Sequence, residues 1–175
     1  MQRQVHIVGS GHHYQLGAGF AFGGFQCTTE DQAAFLSMLR ELVQREFLDA
    51  VAKELNQQAL QEAGGSRSVP QALAAELGLP HLFCEPDRTE RTPLGIRDEN
   101  SIRISAFPKT LDETIVQRLA AESWRLREEE WLKRLVRLNS SRTLFVCGAN
   151  HVGPFVARAT DHGFQVVVSH ANWET

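Results

Sequence analysis

Residues 143–155 read TLFVCGANHVGPF, a short apolar run, a turn and the start of a second apolar pattern. The run at 143–147 is rich in β-forming residues, as in a strand that is buried on both faces. The turn that follows carries His151, and a helix-like pattern resumes after Pro154. In open parallel sheets, ligands bind in the loops at the carboxyl ends of the strands. This layout therefore predicts that His151 lies in such a loop and takes part in chemistry.

Further strands and helices are predicted on both sides of this segment. The strands are predicted at 4–8, 81–84 and 165–168. The helices are predicted at 29–62, 68–77 and 110–139, where apolar residues recur every three or four positions. Ile102 and Ile104 alternate with polar residues, as in a short edge strand. The alternation predicts one α/β domain, residues 1–175, with a mainly parallel sheet of about four strands and helices packed on its faces.

The composition of the 175 residues is that of a soluble globular protein, with 42% hydrophobic and 22% charged residues. The formal net charge of −3 gives no electrostatic reason to expect nucleic acid or an anionic membrane as a partner. The chain has no apolar run of membrane-spanning length and its start lacks a signal-peptide pattern, so a cytoplasmic protein is expected. A sheet of four strands is small, and a homodimer that covers one of its edges is an open alternative.

Polar residues follow each predicted strand, and parallel strands bring the loops that follow them to the same edge of the sheet. These residues are His12, His13, Glu85, Asp87, His151, His170 and Asn172. Imidazoles and carboxylates that converge can hold a divalent cation, which would lower the pKa of a bound water and supply a hydrolytic nucleophile. For any single histidine, a role in capping a turn is an equally good explanation. The convergence of several residues is what favours a functional site at this edge.

The helix predicted at 110–139 carries charge beside its apolar face. That face presents, at helical spacing, Trp124, Glu128, Trp131 and Leu135. Arg127 flanks it, and a charge near a buried stripe is costly unless it is paired. Either Arg127 and Glu128 hold the helix to the sheet, or Arg127 faces the cleft and binds an anionic group while Glu128 acts as a ligand or base. We favour structural support close to the site for Glu128 and a mixed role for Arg127.

Two other features are weaker. The glycine- and phenylalanine-rich segment 16–25 is plausible as a lid over a pocket. Ser10 and Ser169 lack the glycine-flanked elbow of a serine hydrolase, and Cys84 and Cys147 have little in favour of a nucleophilic role beyond nearby histidines. The three cysteines of the chain are an odd number without metal-site spacing and are expected to be reduced thiols.

Taken together, these motifs resemble the TraB/PrgY/GumN group, which is related to Tiki metalloproteases, ChaN-like proteins and erythromycin esterases. The residues that carry the resemblance are Gly9-Ser-Gly-His12, Glu85, Arg127-Glu128 with Trp131, and Cys147-Gly-Ala-Asn-His151 with Gly163 and Val166 downstream. The first is similar to the group's G-x-x-H motif and the last to its V-G-x-x-H loop. The resemblance implies an α/β fold in which His12, Glu85 and His151 surround a divalent metal, with hydrolysis as the activity. The charged segment 85–91 resembles a subgroup of small bacterial proteins for which no substrate is implied.

The first hypothesis is a cytoplasmic metal-dependent hydrolase that acts on a small molecule or peptide, with an anionic group as a candidate feature of the substrate. The metal ligands would be His12, Glu85 and His151. The catalytic candidates are His13, Asp87, Arg127 and Glu128, and the ligand-binding candidates are Arg88, Arg91 and Asn150. The second hypothesis is a non-catalytic sensor or binding module that holds a small anionic ligand at the same edge. A third is a structural dimer whose polar edge is an interface.

Overall fold

Short apolar runs spaced along the chain pair as neighbouring strands in the computed structural model, which describes residues 3–22, 24–104 and 112–175. The strands are β1 (Gln4–Ser10), β2 (Ala21–Phe22), β3 (Phe25–Gln26), β4 (Ala50–Lys53), β5 (His81–Phe83), β6 (Arg142–Gly148) and β7 (Gln165–Trp173). The helices are α1 (His12–Leu16), α2 (Thr29–Arg45), α3 (Gln57–Glu62), α4 (Val69–Leu77), α5 (Arg88–Arg91), α6 (Glu99–Ile104), α7 (Glu113–Leu138) and α8 (Ala149–Asp161).

The main sheet has five strands in the order β5-β4-β6-β1-β7, and every neighbouring pair is parallel. β6 lies at its centre, where Leu144 and Phe145 are fully buried on opposite faces. β2 and β3 form a separate antiparallel hairpin after α1. The predicted α/β class and the mainly parallel sheet are therefore confirmed, with five strands in place of about four.

Two helical layers cover the sheet. The first packs α2 and α4 against one face through a cluster that contains Leu39, Leu73 and Val51. The second packs α7 and α8 against the other face through a cluster that contains Trp131 and Phe155. Both faces of the central strands are thus removed from water, as parallel sheets require. No helix among the described residues combines the length and the apolarity that crossing a bilayer demands.

The strand β4 lies inside the segment predicted as a single helix, 29–62, and that part of the prediction was wrong. In the structure α2 ends at Arg45, and the chain turns at Phe47, whose φ is 52°. The Asp49 carboxylate then accepts hydrogen bonds from the backbone N–H groups of Ser141 and Arg142, at 3.1 and 3.0 Å, which aligns the start of β4 with β6. The apolar residues kept helical spacing through this turn, so periodicity alone did not reveal the strand.

Two further elements differ from the sequence prediction. Ile102 and Ile104 lie in the helix α6, not in an edge strand, and Ile102 is buried there against Val116 of α7. The helix after β6 begins at Ala149, so His151 lies in its first turn and not in a loop before it. The residues predicted at the start of the helix 110–139 lie partly outside the described residues, and α7 is described from Glu113 onward.

Candidate functional site

A cavity of about 860 Å³ opens at the carboxyl edge of the sheet. Most of the predicted site residues line it: His12, His13, Glu85, Arg91, Arg127, Asn150 and His151. They come from separate elements that follow β1, β5 and β6 and from α7, so the parallel topology delivers them to one place. The predicted convergence of His12, Glu85 and His151 on one pocket is therefore present in the structure.

Asp87 and Arg88 do not reach this cavity, and their assignment to the site needs correction. Asp87 caps α5, where its Oδ1 accepts hydrogen bonds from the backbone N–H groups of Thr89 and Glu90 at 2.8 and 2.9 Å. Arg88 is largely exposed and pairs with Glu62 at 3.0 Å. The Asp87–Glu90 capping box explains this run of charges as a helix start, which satisfies backbone donors.

Glu85, a predicted metal ligand, is almost completely buried, and its carboxylate is fully engaged by cationic and polar donors. Arg91 Nη2 donates to Oε1 at 2.7 Å, and Arg127 Nε lies 3.0 Å from both oxygens. Trp131 Nε1 donates to Oε2 at 2.8 Å. Arg127 and Trp131 are four residues apart on α7, so one helix face supplies both donors. Glu85 is therefore a structural anchor between β5 and α7.

Glu54, which the sequence analysis missed, is a buried carboxylate that lies near both His12 and His151. Its Oε2 accepts a 2.7 Å hydrogen bond from the backbone N–H of Gly148, and its Oε1 accepts one from Arg127 Nη2 at 3.0 Å. The same Oε1 is 3.6 Å from His151 Nε2. Burial alone would raise the pKa of Glu54, but the nearby His12, His151 and Arg127 hold that pKa below its usual value.

A signal for Glu54 was present in the sequence. Ala50-Val-Ala-Lys53 is followed directly by Glu54, just as the strand residues His81-Leu-Phe83 are followed closely by Glu85. Both carboxylates lie just beyond the carboxyl end of a parallel strand, on neighbouring strands β4 and β5. Recognising β4 would therefore have identified Glu54 as a site residue.

His151 and Glu128 form a direct polar contact beside the cavity. His151 Nδ1 and Glu128 Oε1 are 2.9 Å apart, and the other carboxylate oxygen of Glu128 accepts a 2.7 Å hydrogen bond from Arg158 Nε. Assigning the Nδ1 proton to this contact leaves Nε2 of His151 as an acceptor on the side of Glu54. The imidazole ring packs edge-on against Trp131, with ring centroids 5.1 Å apart. Its orientation is thus fixed by one hydrogen bond and by packing.

Arg127 links the two buried carboxylates that face the cavity. Its Nη2 donates to Glu54 and its Nε to Glu85, and its guanidinium lies 5.5 Å from the ring centroid of Trp131. Burial would lower the pKa of Arg127, but the two carboxylates raise it. Arg127 therefore bridges the Glu54 and Glu85 carboxylates, and its predicted mixed role stays a prediction.

His12 and His13, at the start of α1, have pKa values that burial lowers. Burial lowers the pKa of His12, although Glu54 opposes that shift, and burial also lowers the pKa of His13. Both imidazoles are therefore mainly neutral at pH 7. The His12 ring and the Glu54 carboxylate both approach Gly148, since a Cβ placed there would lie 3.2 Å from His12 Nε2 and 3.3 Å from Glu54 Oε2. A Cβ at position 148 would therefore require His12 or Glu54 to shift by a few tenths of an ångström.

The predicted metal centre does not fit these contacts. In the parts of the chain that the structure describes, no three His, Cys, Asp or Glu side chains are arranged to hold a metal ion. Glu85 is occupied by two arginines and a tryptophan, and Glu54 by Arg127 and a backbone N–H. A carboxylate in such a setting would have to leave its donors before it could bind a cation. The set His12, Glu85 and His151 is thus a shared cavity wall, and the metal stays a prediction.

The charges of the site are balanced internally. Glu54 pairs with Arg127, Glu85 with Arg91 and Arg127, and Glu128 with Arg158. Three buried carboxylates thus meet three arginines, and no cationic group among these is left over for a ligand. This arrangement gives no support for the predicted preference for an anionic group.

No protein-family model, curated protein or solved structure matches this chain. The resemblance to the TraB/PrgY/GumN group therefore stays a prediction that depends on the short motifs alone.

Proposed function

We propose that this protein is a hydrolase that cleaves a small ester or amide by general-base catalysis, with His151 as the base. The observation that carries the proposal is the 2.9 Å contact between His151 Nδ1 and Glu128 Oε1. A carboxylate in this position fixes the imidazole tautomer and stabilises the imidazolium that forms during proton transfer. Glu128 would thus act through His151, as a positioning residue.

The reaction would proceed by direct attack of water. His151 Nε2 takes a proton from a water molecule as the water oxygen bonds to the carbonyl carbon of the substrate. When the tetrahedral intermediate collapses, the bond from that carbon to the leaving group breaks and His151 returns the proton to the leaving group. The transient imidazolium would lie between Glu128, at 2.9 Å from Nδ1, and Glu54, at 3.6 Å from Nε2. Both carboxylates would stabilise the transient positive charge of the ring during the reaction.

The amino end of α8 would stabilise the negative charge that develops on the carbonyl oxygen of the substrate. Gly148, Ala149 and Asn150 line the cavity at this end, and no side chain caps the helix. Glu54 already accepts from the Gly148 N–H at this end, so the N–H groups that follow in the first turn of α8 would be the donors to the developing oxyanion of the substrate. The Asn150 side chain is exposed to the cavity and offers an amide N–H for the same purpose. This gives the predicted ligand-binding residue Asn150 a specific role.

The test is hydrolysis of a panel of neutral esters, anilides and lactones by the native protein and by His151→Ala. We expect the variant to lose at least about a hundredfold in kcat/KM, which is the usual contribution of a general base. His170→Ala is the matched control, because His170 is exposed on β7 and does not line the cavity. Glu128→Gln is expected to lower kcat with little effect on KM, because Glu128 acts on His151 and not on substrate binding.

Two other results would contradict the proposal. Equal rates in the native protein and in His151→Ala would remove His151 from the reaction. No hydrolysis of any panel member would favour the second hypothesis, a binding module. Treatment with a chelator tests whether hydrolysis depends on a metal ion. Activity that disappears with EDTA and returns with a divalent cation would support the metal-dependent hydrolase that the family resemblance implies.

A further inference from the structure

Two large aromatic side chains are exposed at the rim of the cavity. Phe25 is 66% exposed on β3, and Trp124 is 42% exposed on α7. Both line the cavity. An exposed aromatic ring leaves a large apolar area in water, and burying that area on binding is favourable. A pair of such rings over one cavity is therefore a candidate contact surface for a ligand.

The two rings come from opposite sides of the sheet. β3 follows α1, which packs with α2 and α4 on the first face, whereas α7 packs on the second face. The carboxyl edge of the sheet lies between these layers, and the cavity opens there. Phe25 and Trp124 therefore approach the cavity from different directions and flank its entrance.

The Phe25 side of the entrance is an aromatic platform. Phe25 stacks on the His13 ring, with centroids 5.6 Å apart and an interplanar angle of 19°. His13 in turn contacts the Tyr14 ring, at a centroid distance of 4.0 Å. Because burial lowers the pKa of His13, this imidazole is mainly neutral at pH 7 and adds no charge to the platform. Phe25 and His13 thus offer two adjacent rings to the cavity, and the largely buried Tyr14 packs against His13.

The Trp124 side connects the entrance to the reacting group. The Trp124 ring packs edge-on against His151, with ring centroids 5.7 Å apart. A ligand ring that stacks on Trp124 would therefore lie close to the imidazole that we assign as the base. Aromatic rings prefer offset or edge-to-face contacts at centroid distances of roughly 4.5–7 Å. One ligand ring can satisfy this preference next to the site of proton transfer.

We propose that the cavity binds a ligand that carries an aromatic ring or a similarly flat apolar group, gripped between Phe25 and Trp124. The internal balance of the site charges agrees with this, because every arginine that contacts a buried site carboxylate is neutralised by it. The proposal deepens the proposed function, since the ring would belong to the acyl or the leaving group of the hydrolysed substrate. Binding itself does not require His151 to act as a base.

The binding test uses N-phenyl-1-naphthylamine, a neutral probe whose fluorescence rises in apolar surroundings. We expect the native protein to bind it saturably and Phe25→Ala and Trp124→Ala to weaken binding at least about tenfold each. Phe47→Ala is the control for Phe25, because Phe47 is 79% exposed but lies before β4, away from the cavity. Ile115→Ala is the control for Trp124, since Ile115 is exposed on the same helix and does not line the cavity.

The outcomes separate this proposal from the proposed function. Both target rings are exposed, so the variants are expected to fold, and a thermal unfolding midpoint close to that of the native protein checks this. Binding that persists in His151→Ala while hydrolysis is lost supports both proposals. Saturable binding that Phe25→Ala and Trp124→Ala leave unchanged, or no binding by the native protein, overturns the aromatic-ligand proposal whether or not hydrolysis depends on His151.

Discussion

The Oε2 atom of Glu54 lies 2.7 Å from the backbone nitrogen of Gly148, the residue that precedes α8. This hydrogen bond joins the end of β4 to the end of β6, which are neighbours in the sheet. It also places a buried negative charge at the positive end of the α8 dipole, where a carboxylate is stabilised. Contacts between strand ends therefore hold this part of the cavity together. Substitutions of the residues involved can test how much each contact contributes to the free energy of unfolding.

Arg127→Ala is expected to destabilise the protein strongly, because it leaves Glu54 and Glu85 buried without their shared cation. Breaking one partner of a buried ion pair typically costs about 3–5 kcal/mol of unfolding free energy. Urea denaturation at pH 7 measures the change. Arg125→Ala is the control, since Arg125 pairs with Glu122 and Glu129 on the exposed side of α7, and it is expected to cause a small fraction of that loss. Equal losses in both variants would refute a stabilising role for the bridge that Arg127 makes between Glu54 and Glu85.

Glu54→Gln is expected to flatten the acid side of the stability profile. The pKa of Glu54 lies below 4.5, its ordinary value, in the folded state, so its ionised form stabilises the fold above pH 4.5. That contribution is lost as the pH falls through the folded-state pKa. The native protein should therefore lose unfolding free energy more steeply below about pH 5 than the variant does. Parallel curves for the two proteins in urea would show that Glu54 is not coupled to folding in this way.

Lys53→Met is expected to stabilise the protein, most of all at neutral and acidic pH. Lys53 is fully buried on β4, its Nζ has no hydrogen-bond partner in the described structure, and burial lowers its pKa to about 7. The folded state therefore disfavours the proton that the unfolded chain holds up to about pH 10.4. The penalty is complete below pH 7 and disappears as the pH rises between these two values. Methionine has a similar volume without the charge.

The measurement for Lys53 is the difference in unfolding free energy between native protein and variant at several pH values. A gain on the order of a few kcal/mol near pH 6 that shrinks toward pH 10 is the expected result. Lys133→Met is the control, because the Lys133 side chain is 56% exposed, and it is expected to show no such trend. A gain that does not vary with pH would mean that packing, and not charge burial, is responsible.

Gly9→Ala is expected to disrupt the packing of β1 against its neighbours. A Cβ at Gly9 would lie 2.2 Å from the carbonyl oxygen of Ala171 on β7 and 2.5 Å from Val152 Cγ2 on α8. The backbone of β7 would have to move to relieve this overlap, so a loss of about 1–3 kcal/mol of unfolding free energy or more is expected. Gly153→Ala provides the comparison, because a Cβ there meets no atom within 4 Å. Thermal unfolding of both variants checks the difference, and a harmless Gly9→Ala would disprove the close approach.

The sequence predicted much of the site because its histidines follow a simple rule. His12 and His151 each come shortly after a buried strand and a glycine, and parallel strands bring such positions together. Glu54 was not predicted as a site residue because the strand before it was not recognised. Ala50-Val-Ala-Lys53 has neither the β-branched content nor the alternation that is typical of a strand. Asp87 was assigned to the site because a carboxylate after a strand looks the same in sequence whether it faces a cavity or caps a helix.

Helical spacing predicted which residues of α7 are buried but not which polar groups they contact. It placed Glu128 and Trp131 on the buried face, where both are found. It did not determine which polar groups they meet, because Glu128 contacts His151 and Arg158 on α8, and Trp131 contacts Glu85 beyond β5. Such pairings depend on how two helices and a strand end are arranged in space, which no periodicity in one segment encodes.

The pairing of Glu54, Glu85 and Glu128 with built-in arginines has a consequence for how molecules enter the cavity. A neutral ligand that contacts these three ion pairs meets carboxylates whose charge the fold already compensates. Ionic strength, which screens exposed charges beyond about 10 Å at 0.1 M, then has little to act on. Binding of a neutral ligand is expected to be as effective in concentrated salt as in dilute buffer.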